Sequence, residues 1–585
     1  MKKIIAILFS VLLLGACDYD LTEEIYSEID ASKYELSAKD IDAAIAPAYA
    51  VFGAMIGGWH NVMFDEGTDY MTVASNGSGW YDGGVYNRMH LHTWPDNQTH
   101  VWARWNTYYE GINKANMALE QFTSGSIPLD EDRKPEVYAQ LKSIRAYFYW
   151  LLMDEFGNVP LVLDFEGELT GQSERSEIYD FLVNELESII PDLNTEKSME
   201  TYGKFNQWAA RTLLANIYLN AEVYTGTPQW DKVIQQCDTI INSGLYSLAP
   251  TYKENFLPNN ENSPEIIYAV PCDYVYGVGI NFHRACMHAA SRDKYDAVVG
   301  GWGTGSVKGV PQFLDMYEEE DGRLEDSWDF GPQFSSSGEP LLGGYDITGK
   351  QLNFTRPVPT GLQSGESEGY RLMKYDPTGG NAKLDNDIVL FRYAQVLMMK
   401  AEALLRTGDA DGAAALVTQV RNRCFEDPAD AEITGAELSG PTTMRYGEYV
   451  EDYGLDYAQI IEAIQRDDDE YIAYKLNELT LSHGETIEDM PAAIAQIKAD
   501  LAGKTVSDYF IDDDVSVIQY GRMLDELGKE FVHELARRRN MIRFGAYTTM
   551  SWLTHVPNGD YRRVYPIPLN AMSTNSLLVQ NEGYY

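Results

Sequence analysis

Two stretches of the sequence, residues 57–100 and 251–385, combine glycine with a high density of tryptophan and tyrosine. Glycine lets the backbone turn tightly, and a neighbouring tryptophan or tyrosine offers a flat apolar ring with a polar edge. Such rings stack on the flat apolar faces of a neutral, ring-shaped ligand, while planar polar side chains bind its polar groups. The alternative for each ring is that it anchors its own loop in the core. We predict seven ligand-binding residues: Trp80, Tyr81, Arg88, Trp94, Asn97, Trp302 and Trp328.

The acidic residues do not sit in a recognisable catalytic motif. Glycosidases need two carboxylates about 5 to 10 Å apart. With 89 Asp and Glu residues, chance pairs are inevitable. The His-Glu-x-x-His zinc motif is missing, because His533-Glu534 has no second histidine at that spacing, and so is a phosphate-binding glycine loop with lysine. We therefore expect a binding protein without enzyme activity and without a cofactor.

Several histidines and cysteines have a spacing that metal ligands also show: His90, His92, His283, Cys286 and His288. Structural zinc normally needs four ligands, and no second cluster lies at the required spacing. The aspartate run at residues 512–514 lacks the glycine and the spacing of an EF-hand calcium loop. We therefore predict no metal site, although the sequence leaves calcium binding open. It also leaves open a disulfide between Cys272 and Cys286.

The charge balance excludes one class of ligand, and the length constrains the architecture. The 585 residues contain 89 Asp plus Glu and 45 Lys plus Arg, so the net charge is −44. Nucleic-acid binding depends on clustered Lys and Arg, and this field would repel a polyanion. Because a single hydrophobic core rarely extends beyond about 250–300 residues, we expect several cores or a repeat architecture. An acidic chain with 40 Tyr and 11 Trp favours a neutral, ring-shaped or peptide-like ligand.

The N-terminus has the pattern of a bacterial lipoprotein signal. Two lysines precede an apolar run at residues 4–14, which is too short to span about 30 Å of hydrocarbon. Small residues then stand directly before Cys17, which is predicted to carry the lipid. The alternative is an ordinary signal peptide followed by a chance cysteine. The acidic residues after Cys17 fit either a solvated tether or a sorting signal for the outer face of the membrane.

Apolar residues at helical spacing predict helices in pairs that recur at roughly thirty to forty residues, as in a tetratricopeptide-like array. Several hallmarks of a strict repeat are missing, so we predict a mainly α fold with a degenerate array and a long loop-rich ligand-binding region. The predicted helices cover residues 101–122, 135–156, 177–190, 205–221, 230–241, 388–405 and 410–423. The predicted segments are a signal peptide at 1–16, a lipidated tether at 17–40, helical regions at 41–250 and 386–425, loops at 251–385, an acidic insertion at 426–517 and a C-terminal segment at 518–585.

Short motifs spread along most of the chain resemble those of one known family. They are residues 105–116 (WNTYYEGINKAN), 145–149 (RAYFY), 156–161 (FGNVPL), 262–268 (NSPEIIY), 390–397 (LFRYAQVL), 565–569 (YPIPL) and 580–584 (QNEGY). Their order behind a lipoprotein signal is similar to that of the SusD/RagB family of Bacteroidetes outer-membrane lipoproteins. Two features depart from the family pattern: residues 530–545 only approximate its C-terminal motif, and the insertion at 426–517 is longer than expected.

The resemblance implies a surface-exposed binding protein that is anchored to the outer membrane through Cys17. Family members capture oligosaccharides and deliver them to a partner SusC-like TonB-dependent transporter, which they cover as a lid. Other members, of the RagB type, take peptides, so a peptide-binding role is the alternative. The resemblance also implies that the tetratricopeptide-like helices face the transporter and that loops on the other side bind the ligand.

Overall fold

The computed structural model describes residues 37–57, 65–75, 82–165, 167–359, 362, 364–452, 455–465, 467–482 and 486–584. The predicted signal peptide and the predicted lipidation site at Cys17 lie outside these residues. Within the described ranges, none of the helices combines the length and the apolar character needed to cross a membrane.

Helices dominate the secondary structure. The α-helices, in chain order, are α1 (Ala38–Gly57), α2 (Val85–His90), α3 (Thr99–Thr123), α4 (Lys134–Phe156), α5 (Arg175–Ile189), α6 (Gln207–Leu219), α7 (Ala221–Thr225), α8 (Trp230–Asn242), α9 (His283–Cys286), α10 (Pro311–Leu314), α11 (Arg323–Ser327), α12 (Tyr393–Thr407), α13 (Ala410–Arg421), α14 (Pro428–Ala431), α15 (Gly435–Leu438), α16 (Tyr457–Gln465), α17 (Asp469–Ser482), α18 (Met490–Asp500), α19 (Gly521–Glu530), α20 (Arg537–Phe544) and α21 (Leu569–Thr574).

The strands are short and pair into small sheets. They are β1 (Met71–Val73), β2 (Ile266–Val270), β3 (Val307–Gly309), β4 (Trp328–Asp329), β5 (Gly331–Pro332), β6 (Asn353–Phe354), β7 (Arg371–Leu372), β8 (Ile388–Arg392), β9 (Gly447–Tyr449), β10 (Glu451–Asp452), β11 (Leu455–Asp456) and β12 (Phe510–Asp512).

The long helices pack as neighbours and form the predicted tetratricopeptide-like array. Helix α1 packs on α3, α3 on α4, and α4 on α5, while α6 packs on α5 and α8, α8 on α12, and α12 on α13. The two helical regions therefore form one continuous array although the loops separate them in sequence, and the prediction of a mainly α fold is confirmed. Gly111 lies where α3 crosses α4, and any side chain there would collide with the ring of Phe148. The glycine thus permits the close approach of the two helices.

Local sequence signals fix the ends of these helices. Pro135 stands in the first turn of α4, where its missing N–H costs nothing, and Gly157 ends the helix with a φ of 74°. The side chain of Asn206 caps α6 by accepting hydrogen bonds from the N–H groups of Trp208 and Ala209 at 3.0 and 2.9 Å.

A four-stranded antiparallel sheet joins the two predicted aromatic loop regions. Its strand order is β1-β3-β7-β4, with Thr72 opposite Lys308, Lys308 opposite Arg371, and Arg371 opposite Asp329. Strand β1 belongs to the region 57–100, and the other three strands belong to the region 251–385. Segments that lie far apart in sequence therefore form one sheet.

The acidic insertion contains a hydrophobic core of its own. Ile460 and Ile461 of α16, Ile472 of α17 and Ile497 of α18 pack together there. Strands β9 and β12 of the insertion pair antiparallel. Residues of the range 431–446 pack into the main core instead. The structurally separate part of the insertion is therefore smaller than the predicted range 426–517.

The four cysteines of the described residues are free thiols: Cys237, Cys272, Cys286 and Cys424. The disulfide between Cys272 and Cys286 that the sequence left open is not formed. Cys237 is buried on α8, as its helical spacing predicts.

A buried network of charges ties the C-terminal segment to the helices and the loops. Arg392, at the end of β8, donates to the carboxylates of Glu265, Glu530 and Glu534, at 2.7 Å in each case. Arg423 donates to Glu265 and, at 2.5 Å, to Glu530. Removing one member of such a network leaves an unpaired charge in the core, which costs about 3–5 kcal/mol.

We expect Glu530→Gln to lower the free energy of unfolding at pH 7 by about 3–5 kcal/mol, because it removes one of the carboxylates that balance the buried guanidinium groups. Burial alone would raise the pKa of Glu530, but Arg423, Arg392 and Arg323 outweigh it and lower the pKa to about 2. The stabilisation is therefore present above the ordinary pKa of 4.5 and is lost as the pH falls towards 2. Urea denaturation at pH 7 and at about pH 3 should show a smaller difference between the two proteins at the lower pH.

Glu131→Gln is the control for this comparison. Glu131 pairs with Lys134 at the surface, where 87% of the Glu131 side chain is exposed. Exposed pairs contribute at most about 1 kcal/mol. A Glu530 variant no less stable than this control would contradict the role given to the buried network.

Candidate functional site

Two of the predicted ligand-binding tryptophans are buried. Trp94 is 1% exposed, and its indole N–H donates to the hydroxyl of Tyr584 at 2.9 Å. Its ring packs on Tyr565 with 5.0 Å between centroids. Trp328 is 2% exposed in β4, and its N–H contacts the Tyr317 hydroxyl at 3.5 Å. The prediction that these two rings meet a ligand is wrong, because the core covers them and their N–H groups have partners inside the protein.

Trp302 is the candidate tryptophan of the described residues that is only partly covered by the core. It is half-buried, and the guanidinium of Arg284 lies 4.9 Å from its ring centre. The Nε–H of Arg284 donates to the carbonyl of Gly300 at 3.2 Å, which fixes the guanidinium beside the indole. In this Trp302 site the guanidinium lies over the indole ring, so N–H donors and an apolar ring stand together, as sugar recognition requires.

The glycines around Trp302 are required by close backbone approach. A side chain on Gly301 would collide with the carbonyl oxygen of Met287, and one on Gly305 would collide with that of Cys286. Gly305 also has a φ of 73°. These contacts press the loop onto residues 283–287 and fix the position of Trp302. Next to this loop, the N–H of Ala74 donates to the carbonyl of Ser306 at 2.9 Å, so the two loop regions meet here.

The polar candidates have different surroundings. Arg88 is half-buried in the last turn of α2, and its guanidinium donates to Gln98 Oε1 at 3.0 Å and to the Gly83 carbonyl at 2.8 Å. Asn97 is exposed just before α3. The candidates Trp80 and Tyr81 lie outside the described residues. Arg88 therefore orders its own loop, while Asn97 presents an amide at the surface.

The histidines with metal-like spacing make hydrogen bonds or lie in the core. His288 Nε2 lies 2.9 Å from Glu366 Oε1, and His283 Nε2 lies 3.2 Å from the carbonyl of Asn381. Burial lowers the pKa of His90 and of His92 to about 3, so both rings are neutral at pH 7. Over the described ranges, no group of three or more His, Cys, Asp or Glu side chains is arranged to hold a metal ion.

One stretch has the spacing of a nucleophile elbow. Residues 365–369 read Gly-Glu-Ser-Glu-Gly. In an elbow the serine stands on a sharp turn between a strand and a helix. Here the segment leads into strand β7, and the carbonyl of Ser367 accepts hydrogen bonds from the N–H of Thr355 at 2.7 Å and from its hydroxyl at 3.1 Å. The spacing is present, but the strand–turn–helix context is not.

Sequence reasoning missed several exposed aromatic residues in the loop-rich region. Tyr276 is 83% exposed and Tyr345 is 56% exposed. Tyr345 follows Gly343 and Gly344, so the glycine–aromatic pattern that selected Trp302 also applies to it. Tyr276 stands directly before Gly277, which has a φ of 78° and makes the tight turn there.

Solved structures share this fold along nearly the whole chain. A laminarin-binding SusD-like protein has a TM-score of 0.64 at 18% identity and covers 94% of this chain and 100% of its own. Surface glycan-binding protein A from Bacteroides thetaiotaomicron, in complex with laminarihexaose, has a TM-score of 0.62 at 16% identity and covers 93% of this chain and 100% of its own.

Sequence comparisons give the same relationship. The starch-binding protein SusD of Bacteroides thetaiotaomicron is 23% identical over 541 residues, which are 84% of this chain and 79% of that protein. The SusD-like protein P25 of Formosa agariphila is 24% identical over 379 residues, 59% of this chain and 66% of that protein. The family described as "Starch-binding associating with outer membrane" matches residues 29–219, and the SusD family matches residues 308–452. The chain therefore belongs to the SusD/RagB family.

Proposed function

We propose that this protein is a cell-surface lipoprotein that binds oligosaccharides and delivers them to a SusC-like TonB-dependent transporter of the outer membrane. The observation that carries the proposal is the Trp302 site, where a half-buried indole lies under a guanidinium, 4.9 Å from its ring centre. An indole face stacks on a sugar ring, and guanidinium N–H groups donate to sugar hydroxyls. The protein acts by binding, without changing its ligand.

The ligand class follows from charge and from the related proteins. The net charge of −44 repels anionic polysaccharides, so a neutral glycan fits best. Relatives of the same fold are named for binding starch and laminarin, both neutral glucans. We therefore propose a neutral glucan as the ligand.

Trp302→Ala should weaken the binding of a neutral glucan by about 1–3 kcal/mol, because truncation removes the stacking surface from the centre of the site. Isothermal titration of the purified chain with maltooligosaccharides and laminarioligosaccharides measures this loss. The matched control is Trp230→Ala. Trp230 is also half-buried and also lies under a guanidinium, that of Arg406 at 5.0 Å, but it belongs to the helical array.

Three results would contradict the proposal. If Trp302→Ala and Trp230→Ala bind the glucan equally well, the ligand does not contact the Trp302 site. If the wild type binds no glycan of the panel but binds a mixture of peptides, the protein serves peptide import instead. Release of smaller sugars from the bound glycan would show that the protein is an enzyme.

Cys17→Ala should release the protein from the membrane, because the thiol that carries the lipid is absent and the apolar run at residues 4–14 is too short to replace it. Membrane fractionation of cells that produce the variant measures this release. Protease added to intact cells should digest the wild type. A wild type that resists the protease until the cells are broken would lie on the inner side of the outer membrane, against the proposed surface location.

A further inference from the structure

A groove separates the loop-rich region from helix α17 of the insertion. Its deeper part encloses about 390 Å³, a volume suited to a small ligand. One wall comes from the loop segment 346–368 and the other from α17. We call it the insertion groove and define it by residues of these two walls: Gln351, Asn353, Thr355, Ser367, Tyr474 and Asn477.

The lining of the insertion groove matches the chemistry of a sugar. Gln351, Asn353 and Asn477 supply planar amides with both donors and acceptors, and all three residues are exposed. Thr355 adds a hydroxyl group. The half-buried ring of Tyr474 adds an apolar face in the same wall as Asn477.

The groove continues into a wider, open part of about 690 Å³ that shares Asn353 and Thr355. Two further rings, Phe330 and Tyr370, line this part. They stack on each other with 4.7 Å between centroids and 16° between planes. Amides and flat rings thus follow one another along the groove, as they would along several sugar units.

Specific contacts fix the insertion against the loops. The hydroxyl of Tyr471 donates to Gln459 Oε1 at 2.7 Å, and Gln459 Nε2 donates to the carbonyl of Val358 at 2.5 Å. Lys475 Nζ lies 3.6 Å from Glu368 Oε1 across the groove. The two walls are therefore held in place before any ligand arrives, which reduces the ordering cost of binding.

The loop wall is held by one carboxylate. Glu366 accepts hydrogen bonds from the backbone N–H groups of Gly344, Tyr345 and Ile347 at 2.7, 2.9 and 3.0 Å. The N–H of Glu366 itself donates to Asp346 at 3.1 Å. These bonds fix the turn at residues 343–349 and place Asp346 in the groove lining, where its carboxylate can accept hydrogen bonds from the hydroxyl groups of a ligand.

We propose that the insertion groove is a second, separate subsite for a neutral oligosaccharide. This inference rests on the proposed glycan-binding function and adds a site that the insertion creates. The lining includes Asp346 and the aspartates at residues 467–469 against the cations Lys350 and Arg356, and Arg356 is already paired with Asp315 and Glu462. The balance is acidic, so an anionic sugar is disfavoured and a neutral one is accepted.

Hydrogen–deuterium exchange of the purified full chain, with and without laminarihexaose or maltohexaose, tests this proposal site by site. We expect the ligand to protect two regions: the loop that contains Trp302, and residues 469–477 of α17. The double variant Asn353→Ala/Asn477→Ala should lose the second protection and keep the first. In this variant, the affinity of the groove for the oligosaccharide should fall by about fivefold or more, because two amide hydrogen-bonding groups are removed.

The control double variant is Asn262→Ala/Asn570→Ala, which removes two exposed amides elsewhere on the surface and should behave as the wild type. Tyr474→Ala tests the same groove by removing its aromatic ring, and circular dichroism checks that this variant folds. Protection confined to the Trp302 loop, or unchanged protection of α17 in the groove variants, would overturn the second subsite while the glycan-binding function stands. Absence of protection in both regions, with no binding in titration, would overturn both proposals.

Discussion

The buried ion network around Arg392 and Glu530 is the interaction on which the remaining structure depends. Glu265 precedes β2, Arg392 ends β8, Arg423 follows α13, and Glu530 ends α19. Four segments that are far apart in sequence therefore meet at one cluster of charges. Arg392 also lies 4.7 Å from the ring of Phe531, so its apolar faces are covered while its N–H groups are paired. Removing charges from water is costly, and the full set of partners offsets that cost.

Lys308 and Arg371 are likewise buried and paired in the loop-rich region. Long segments without regular structure leave backbone carbonyl groups there that need hydrogen-bond donors. Lys308 donates to the carbonyls of Gly365 and Glu368 at 3.1 and 2.6 Å. Arg371 donates to the carbonyls of Thr304 and Glu366 at 3.2 and 2.7 Å. Burial lowers the pKa of Lys308 well below its usual value. By donating to these carbonyl groups, Lys308 and Arg371 stabilise the loops as backbone hydrogen bonds stabilise the helices. They also hold the segments that carry both proposed sites.

The sequence predicted the helices better than the sites, for a physical reason. Helical periodicity is local, so the helix pairs, and Cys237 on the buried face of α8, could be found from nearby residues alone. The burial of Trp94 depends on Tyr565 and Tyr584 near the other end of the chain, and no local pattern reports that contact. Glycine next to an aromatic ring marked the half-buried Trp302. The same pattern marks Tyr345, which the prediction left out.

The insertion groove could not have been predicted, because its walls come from segments whose pairing depends on the tertiary fold. Its position nevertheless follows from the four-stranded sheet beneath it. Tyr370 directly precedes β7, Phe330 directly follows β4, and Trp302 lies shortly before β3. Strands β3 and β4 both pair with β7, so one short sheet supports the Trp302 site and the open end of the groove. A shared rigid support spares each site the entropy of ordering its own loops, and that suits a protein whose task is to capture a ligand.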